Sequence, residues 1–370
     1  MNDLKISIAS GKGGTGKTTI AASLASIIPN SVYIDCDVEE PNGHLLLKPK
    51  INTEEFVSKL LPKIDPFKCT VCGNCVEVCE FNALINLKFE ITLIDEMCHG
   101  CGACAYFCPE KAITEIEKPI GVIRRGITED NIYFIDGLLN IGEVAAAPLI
   151  KAVKKKIPEG GTAPYNTAIG KGTSSYKKGI IAVKNEFYDS QIDNETTSYK
   201  KEIPKGRDDF DKNDFDNKIF SDNKSFLDNV KPESSSSEYF KTYIIDSPPG
   251  TSCSMVEAVI DSDYCVLVTE STPFGLNDLK LAMEVLKTIR VPFGVVINKY
   301  DDSYREMEKY LEESKTDLLL KIPFDRKYAV SYSKGILPLV LYPELRTDFF
   351  DLYETIKRMI GLEMGKVQSV

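Results

Sequence analysis

The sequence predicts an α/β protein built on a parallel sheet, with a small α+β domain inserted into it. A glycine-rich loop, residues 10–18, lies between an apolar strand-like run and a helix-forming run. After residue 242, short apolar runs alternate with amphipathic runs. Eight of the eleven cysteines fall between Cys69 and Cys108. Strand–helix alternation is typical of a parallel sheet covered on both faces, and the cysteine-rich stretch interrupts that alternation.

The first elements surround the glycine-rich loop. Leu4–Ala9 is an apolar run that predicts a strand; the loop GKGGTGKTT follows it, and then the helix-forming run IAASLASII. Val32–Cys36 predicts a second short strand, which ends in DCDVEEPN. Strand, glycine loop and helix in this order are the context that a phosphate-binding loop requires.

The later elements resume after the cysteine-rich stretch. Apolar runs predict strands at 120–127, 132–135, 243–246, 264–270, 293–299 and 317–323, and helical patterns lie at 143–156, 279–290 and 305–313. Between about Ile157 and Phe240 the chain is polar, which predicts a flexible insertion. The amphipathic run at 349–361 predicts a helix packed on the sheet, with a membrane-surface helix as the alternative.

Composition limits the classes of function. The chain has 370 residues, 43% of them hydrophobic, which is enough for about two domains. Its net charge of -10 does not suit a general nucleic-acid binder. The first residues lack the pattern of a signal peptide, and no run approaches the roughly 20 apolar residues of a membrane span. We therefore expect a cytoplasmic protein with no nucleic-acid or membrane partner, in which the cysteines serve metal or redox chemistry.

The loop Gly11-x4-Gly16-Lys17-Thr18 fits the P-loop pattern. Glycines let backbone N–H groups approach phosphate, and the positive end of the following helix points at the same place. Lys17 is expected to neutralise the outer phosphates of ATP and Thr18 to ligate Mg²⁺. The alternative is a glycine turn without a ligand. The expected nucleotide-binding residues of the loop are Gly11, Lys12, Gly13, Gly14, Thr15, Gly16, Lys17, Thr18 and Thr19.

The lysine at the second position of the loop narrows the family. With Lys12, the run KGGTGKTT resembles the deviant P-loop of the MinD/ParA superfamily, which includes the nitrogenase iron protein. In that family the extra lysine reaches across a dimer to the partner's nucleotide. The resemblance implies this role for Lys12, and therefore an ATP-dependent homodimer.

Other positions match the same family in the right order. Asp35 and Asp37 in DCD resemble the first switch, and Asp246 in DSPPG resembles the second. The resemblance implies that Asp37 places the attacking water, that Asp35 lies near magnesium, and that Asp246 holds magnesium through water. Lys12, Lys17, Asp37 and Asp246 are thus the expected catalytic residues of an ATP hydrolase. For any single Asp, an ordinary loop residue is the alternative.

Two further residues match positions that contact the adenine base in the same family. The two histidines match none of its functional positions. Asn298 in VVINK resembles the residue that reads adenine, and Pro323 in KIPFD resembles the loop beside the base. His44 and His99 are not placed for hydrolysis, which needs mainly positioning and charge neutralisation.

The clustered cysteines form one pattern written twice. Each run has the spacing C-x2-C-x2-C-x3-C, and every cysteine of the second run lies 29 residues after its counterpart. Ala83 and Ala112 keep the same offset, so this is an internal repeat. The spacing is that of bacterial ferredoxins with two 4Fe–4S clusters. Zinc, which also uses C-x2-C pairs, is the alternative metal.

In the ferredoxin pattern the fourth cysteine of each run ligates the other cluster. The expected ligands of one cluster are Cys69, Cys72, Cys75 and Cys108, and those of the second are Cys98, Cys101, Cys104 and Cys79. Glu80 stands where a ferredoxin usually has proline, a position that is not a ligand.

Three cysteines remain. Cys36 and Cys265 lie in apolar runs, where buried thiols are the default. Cys253 lies seven residues after Asp246, where the nitrogenase iron protein has a cluster ligand. That protein needs a second cysteine from an earlier loop, and the comparable stretch GLLNIGEVAAAP has none. We expect Cys253 to be a buried or incidental thiol, with a cluster bridging a dimer as the alternative.

These resemblances divide the chain and leave three functions open. The expected segments are 1–62, 118–156 and 241–370 for the ATPase, 63–117 for the ferredoxin domain, and 157–240 for the polar insertion. The whole resembles MinD-superfamily ATPases with an inserted ferredoxin domain, which implies iron–sulfur or metal-cofactor assembly on a client. One alternative is an ATP-gated electron donor to a partner enzyme. The other is a positioning ATPase of the MinD/ParA kind with structural clusters.

Overall fold

The computed structural model describes residues 3–157 and 242–367, with side chains described as far as 361. The expected polar insertion, 157–240, lies outside the described residues except for Ile157. None of the helices within the described ranges is long and apolar enough to cross a membrane.

Eleven strands are described. They are β1 (Leu4–Ala9), β2 (Val32–Asp35), β3 (Lys50–Ile64), β4 (Leu84–Asn86), β5 (Ile91–Leu93), β6 (Ile113–Ile127), β7 (Tyr133–Leu139), β8 (Thr242–Asp246), β9 (Tyr264–Glu270), β10 (Phe293–Tyr300) and β11 (Leu318–Pro323). Nine of them form one sheet in the order β11-β10-β9-β1-β8-β2-β7-β6-β3, and β4 and β5 form a separate hairpin.

Helices connect these strands. They are α1 (Lys17–Ile27), α2 (Gly43–Leu47), α3 (Asn74–Glu77), α4 (Ala103–Tyr106), α5 (Ala146–Lys154), α6 (Cys253–Val259), α7 (Pro273–Ile289), α8 (Glu306–Glu313), α9 (Arg326–Ser333), α10 (Pro338–Leu341) and α11 (Pro343–Val367). A single 3₁₀ turn spans Asp95–Met97.

The central strands are buried on both faces, as parallel strands in α/β proteins are. On one face, Ile6 and Ile8 of β1 pack with Leu24 of α1 and Phe349 of α11. On the other face, Ala9 of β1 belongs to a separate buried cluster that includes residues of β9, α7 and β10. The expected packing of the C-terminal helix on the sheet is thereby confirmed.

The prediction of a parallel sheet holds for seven strands and is wrong at one edge. Every pairing from β11 to β7 is parallel. β6 then runs antiparallel to β7, and β3 runs antiparallel to β6. The sheet is therefore mixed, because the chain returns along its own edge instead of crossing over through a helix.

Strand β3 was missed from the sequence, and β6 begins seven residues earlier than expected. The two strands pair along their whole length, from Lys50 with Ile127 to Ile64 with Ile113. Most residues of β3 are exposed or half-buried, so the strand lacks the apolar alternation by which strands are recognised. The expected domain limits at 62/63 and 117/118 fall inside these two strands, which join the cysteine-rich domain to the sheet.

The register shows where that domain lies. Leu139, the last residue of β7, pairs with Gly121 of β6. Residues 113–120 of β6 therefore extend past the carboxyl end of β7, together with the part of β3 that pairs with them. Since β7 is parallel to β2, β8 and β1, this is the edge of the sheet from which the glycine-rich loop departs. The cysteine-rich domain rises from the same edge.

Candidate functional site

The glycine-rich loop joins β1 to α1, as the sequence predicts. Gly16 caps α1 with a left-handed backbone (φ 93°). A Cβ on Gly16 would lie 2.3 Å from Nδ2 of Asn298, and one on Gly11 would lie 2.2 Å from the carbonyl oxygen of Asp278. Gly16 is favoured by its left-handed backbone, and Gly11 is required because the backbone of α7 lies too close for any side chain.

Lys17, the first residue of α1, is buried beside two carboxylates. Its positive charge opposes the rise in pKa that burial imposes on Asp37 and on Asp246. The Thr18 side chain lies close enough to the Asp246 carboxylate to oppose the rise in its pKa as well. The loop lysine, the loop threonine and the acidic residue that ends β8 are thus brought together at the carboxyl edge of the sheet.

The Asp246 carboxylate is fully buried, and only one of its two oxygens accepts a well-formed hydrogen bond among the described residues. Its Oδ2 accepts a 3.0 Å hydrogen bond from the hydroxyl of Tyr33. Its Oδ1 is buried, and among the described residues no well-formed hydrogen bond reaches it. A buried carboxylate oxygen without such a bond, beside a threonine hydroxyl, is the donor set that suits Mg²⁺. Sequence reasoning missed Tyr33, which lies inside an apolar strand and shows no functional signal.

Both carboxylate oxygens of Asp35 accept hydrogen bonds from the backbone, which the sequence does not indicate. Its Oδ1 accepts the backbone N–H of Asp37 at 3.1 Å, and its Oδ2 accepts that of Gly43 at 2.9 Å. Burial raises the pKa of Asp35, and nearby Asp246 raises it further. Asp35 therefore holds the backbone of the loop that follows β2, and its expected role near magnesium stays a prediction.

Asp37 is half-buried in the same loop. Burial raises the pKa of Asp37 to about 6, and Lys17 opposes that rise. A carboxylate with a raised pKa can accept a proton more readily than an ordinary aspartate, which suits the expected contact with an attacking water.

Lys12 has a partner in its own chain. Its ammonium forms an ion pair with Glu270, the last residue of β9. Lys299, near the end of β10, donates to the carbonyl of Gly14 at 2.8 Å and lies 3.5 Å from Glu270. Charged residues at the carboxyl ends of β9 and β10, on one side of β1 in the sheet, were the available signal for this network.

The two residues expected near the base lie at strand ends. Asn298 Nδ2 donates to the carbonyl of Thr15 at 2.7 Å, so this side chain braces the glycine-rich loop. Pro323 is exposed at the end of β11 and pairs with Tyr300. Contact of either residue with adenine stays a prediction.

The remaining histidines and cysteines are placed as follows. His44 lies in α2, where burial lowers its pKa, and His99 stacks on Phe81 with ring centroids 3.8 Å apart. Cys36 and Cys265 are fully buried, which confirms the expected buried thiols. Cys253 is exposed at the start of α6, so the expectation of a buried thiol is wrong there.

The eight clustered cysteines line two cavities. One cavity is lined by Cys69, Cys72, Cys75 and Cys108, and the other by Cys79, Cys98, Cys101 and Cys104. Within the described part of the chain, no three His, Cys, Asp or Glu side chains converge as the ligands of a single metal ion. The four thiols of each set therefore line a cavity and do not converge on the position of a single metal ion.

The cavities lie at different distances along the β3–β6 ribbon. Leu60 and Pro62 line the cavity of Cys79, Cys98, Cys101 and Cys104, whereas Ile64 and Ile113, at the far end of the ribbon, line the other. We call the first the proximal cavity, because it lies nearer the nine-stranded sheet, and the second the distal cavity.

Backbone N–H groups point at three of the thiols. Ala83 donates to Cys79 Sγ and Ala112 to Cys108 Sγ, both at 3.3 Å, and Gly100 donates to Cys98 Sγ at 3.4 Å. The first two bonds are equivalent positions of the 29-residue repeat. Such bonds stabilise sulfur that carries negative charge, so the donor set suits cluster-ligating thiolates.

Known proteins resemble both parts of the chain. A protein of Methanocaldococcus jannaschii, MJ0579, is 26% identical over 336 residues, 89% of each chain. The iron-sulfur cluster carrier protein of Pyrococcus abyssi is 32% identical over 114 residues, 27% of this chain and 38% of that protein. Pyruvate synthase subunit PorD of Methanothermobacter marburgensis is 42% identical over 52 residues, 14% of this chain and 60% of that subunit.

The family model of the CobQ/CobB/MinD/ParA nucleotide binding domain matches residues 6–339. That range includes the glycine-rich loop, the buried aspartates and the cysteine-rich domain. The chain therefore belongs to the CobQ/CobB/MinD/ParA nucleotide-binding family, and it carries an inserted ferredoxin-like domain.

Proposed function

We propose that this chain is an ATPase that couples ATP binding and hydrolysis in a homodimer to iron–sulfur or metal-cofactor assembly on a client. It does so by delivering electrons from two resident 4Fe–4S clusters. The observation that carries the proposal is that the cysteine domain rises from the edge of the sheet that bears Lys17 and Asp246. Nucleotide and clusters thus act at the same edge.

The nucleotide part rests on the buried loop lysine and on Asp246. Lys17 would neutralise the phosphates, and Thr18 and Asp246 Oδ1 would hold Mg²⁺ directly or through water. Magnesium would supply charge neutralisation of the terminal phosphate. Asn298 and Pro323 would lie beside adenine.

The homodimer rests on Lys12, whose present partner is Glu270 of the same chain. For Lys12 to reach a partner's nucleotide, it must exchange this ion pair for a phosphate contact. Both side chains are partly exposed, so the exchange costs little, and charge-assisted bonds to phosphate are strong. ATP, which brings the phosphate, would therefore favour the dimer.

The clusters are proposed to be resident because each cavity offers four thiols, which completes the ligand set of a 4Fe–4S cluster. A cluster that is held by four thiolates of one chain gains or loses an electron more easily than it is transferred to another protein. The similarity to a protein named as an iron–sulfur cluster carrier supports work on cofactor assembly.

A second candidate function is an ATP-gated electron donor to the active site of a partner enzyme. The same closed ligand sets favour it, since they suit electron delivery whatever the acceptor. The two functions differ in the client: an apo-protein acquiring a cofactor in the first, a complete enzyme in the second.

The test separates electrons from iron. The full chain, purified without oxygen and loaded with ⁵⁷Fe, is reduced and mixed with oxidised methyl viologen or with an apo-ferredoxin. We expect electrons to leave at least about tenfold faster with MgATP than with MgADP, and the label to stay on the chain. Lys17→Ala is the matched control, in which nucleotide should have no effect.

Two other results would favour a different function. Transfer of ⁵⁷Fe to the apo-ferredoxin would make the clusters cargo and contradict electron delivery. Equal rates with both nucleotides would favour a positioning ATPase with structural clusters. Pulldown from anoxic cells then identifies the client, and recovery of a cofactor by its apo form distinguishes assembly from the second candidate.

A further inference from the structure

Only two lysines are buried within the described ranges, Lys17 at the P-loop and Lys59 in β3. Lys59 has no part in the nucleotide site. Its ammonium lies 2.6 Å from Oε1 of Glu143, and the two side chains are 2% and 4% exposed. Burying both charges of an ion pair costs desolvation free energy, which offsets much of their attraction. Stability alone therefore does not explain why this pair is buried.

One end of this pair lies at the proximal cavity. Lys59 Nζ donates to the carbonyl oxygen of Asp95 at 3.2 Å, and the backbone N–H of Cys98 donates to the same oxygen at 3.2 Å. Lys59 is therefore linked through one shared carbonyl to the first cysteine of the proximal set. Lys118, which pairs with Lys59 across the ribbon, lies 3.4 Å from the Asp95 carboxylate and is more exposed.

The other end lies at the carboxyl edge of the sheet. Glu143 belongs to the loop between β7 and α5, and its Oε1 also accepts the N–H of Ala145 at 3.2 Å. At the far end of α5, Lys154 donates to the carbonyl of Glu257 in α6, the helix that follows the Asp246 segment, and to the carbonyl of Ile260 just after it. Lys59 is thus held from the ATPase side by an anion that belongs to the nucleotide edge.

The distal cavity has no equivalent cation. Among the described residues each lining contains one charged side chain, the exposed Glu110 in the distal cavity and the exposed Glu115 in the proximal one, so the difference is the buried Lys59 behind the proximal lining. The lysines that lie near it in the chain, Lys63, Lys68 and Lys111, are exposed and therefore screened by water and salt. The two cavities offer the same thiols in different electrostatic surroundings.

We propose that Lys59 is a positioning residue that raises the reduction potential of the proximal cluster above that of the distal cluster. The inference rests on the proposed function, since it requires both cavities to hold clusters. Cluster potentials depend on nearby charge, and a buried cation favours the form that carries the extra electron. An electron from an external one-electron reductant then resides beside the ATPase, where Glu143 links Lys59 to the nucleotide edge.

The ion pair gives the proposal a test of sign. Lys59→Met removes the cation and leaves the Glu143 carboxylate, so the proximal potential should fall. Glu143→Gln keeps the shape, removes the anion and leaves Lys59 uncompensated, so the same potential should rise. A merely structural role of the pair would shift the potential in one direction or in neither.

The experiment is a potentiometric titration of the full chain, purified without oxygen, with dithionite as reductant and electron paramagnetic resonance as readout. At fixed potential we expect each variant to change the reduced-to-oxidised ratio of the proximal cluster at least about tenfold, or about 59 mV for one electron. The distal cluster should change by less than a third of this. Cys101→Ser identifies the proximal signal.

Two further variants complete the design. Lys118→Met removes an exposed cation from the same turn and should leave both potentials nearly unchanged. Lys59→Arg keeps the charge, so the proximal potential should stay high even if Lys59→Met loses its fold. Shifts of equal sign in Lys59→Met and Glu143→Gln, or no shift with both clusters loaded, would overturn the role of Lys59 alone. A parent chain that incorporates no iron would overturn the proposed function as well.

Discussion

The nucleotide edge and the cysteine domain are built by different means, although each contains one buried lysine. At the nucleotide edge, aliphatic clusters on both faces of the sheet fix the strands, and the strand ends then place Lys17 and Asp246. In the cysteine domain the buried clusters are small, and two of their seven residues are cysteines. They comprise Cys75, Leu84, Ile91 and Ile113 in one cluster and Leu61, Ala83 and Cys98 in another.

The difference predicts which part of the molecule depends on bound metal for its fold. Apolar burial is the main favourable term in folding, and it is ample around β1, β8 and β9. The cysteine domain has two four-residue helices and one short hairpin, which cannot bury enough surface to offset their conformational entropy. We infer that the nucleotide edge is organised by the chain alone and the cysteine domain by what its thiols bind.

The largest expected effect follows from removing iron. In the chelated full chain, amides of residues 65–112 should lose at least about a thousandfold of their hydrogen-exchange protection, because metal binding supplies the folding free energy there. Amides of β1, β8 and β9 should keep theirs. Hydrogen exchange with mass spectrometry, before and after chelation, measures both regions in one sample. Equal protection of 65–112 in both samples would show that the domain folds without metal.

The next effect separates the two lysines of the loop. Lys17→Ala should weaken ATP binding by about 10–100-fold, because it removes charge-assisted bonds to the phosphates. Lys12→Ala should leave ATP affinity nearly intact but lower ATP-dependent dimerisation and hydrolysis about tenfold or more. Calorimetry and sedimentation with ATP measure the two properties. A Lys12→Ala chain that dimerises and hydrolyses like the parent would rule out a contact across the dimer.

A smaller effect tests whether buried polar contacts organise the nucleotide edge. Tyr33 and Tyr243 each donate a 3.0 Å hydrogen bond to an aspartate, but Asp246 is fully buried whereas Asp3 is partly exposed. Tyr33→Phe should therefore cost about 1–3 kcal/mol of unfolding free energy, and the matched control Tyr243→Phe about 0.5–1 kcal/mol. Urea denaturation measures both. Equal losses would mean that burial of the carboxylate does not matter here.

The smallest effect concerns the partner of Lys12. Glu270→Gln removes the anion that holds Lys12 in its own chain, and the pair is partly exposed. Releasing it should strengthen ATP-dependent dimerisation by about 2–5-fold, without changing self-association measured with ADP. Sedimentation with each nucleotide gives the comparison. Weaker dimerisation in this variant would indicate that Glu270 orients Lys12 toward the partner.

Much of both sites is visible in the sequence because it is local. The glycine-rich loop and its flanking elements occupy residues 4–27, and the thiols repeat at fixed short spacings, so contiguous letters determine them. The acidic residues that end β2 and β8 also follow from strand ends, since carboxyl ends of parallel strands meet at one edge. Fold class and the candidate cofactors were accessible for this reason.

The antiparallel edge and the charge pairs were decided only by tertiary structure. β3 is largely exposed, so register with β6, not apolar pattern, makes it a strand and directs the cysteine domain past the carboxyl edge. Lys59 meets Glu143 across 84 residues, and Lys12 meets Glu270 across 258. No local pattern links such residues. The sequence by itself determined which groups can bind nucleotide and iron, whereas strand order and register decided which charges surround them, because those alone bring distant residues together.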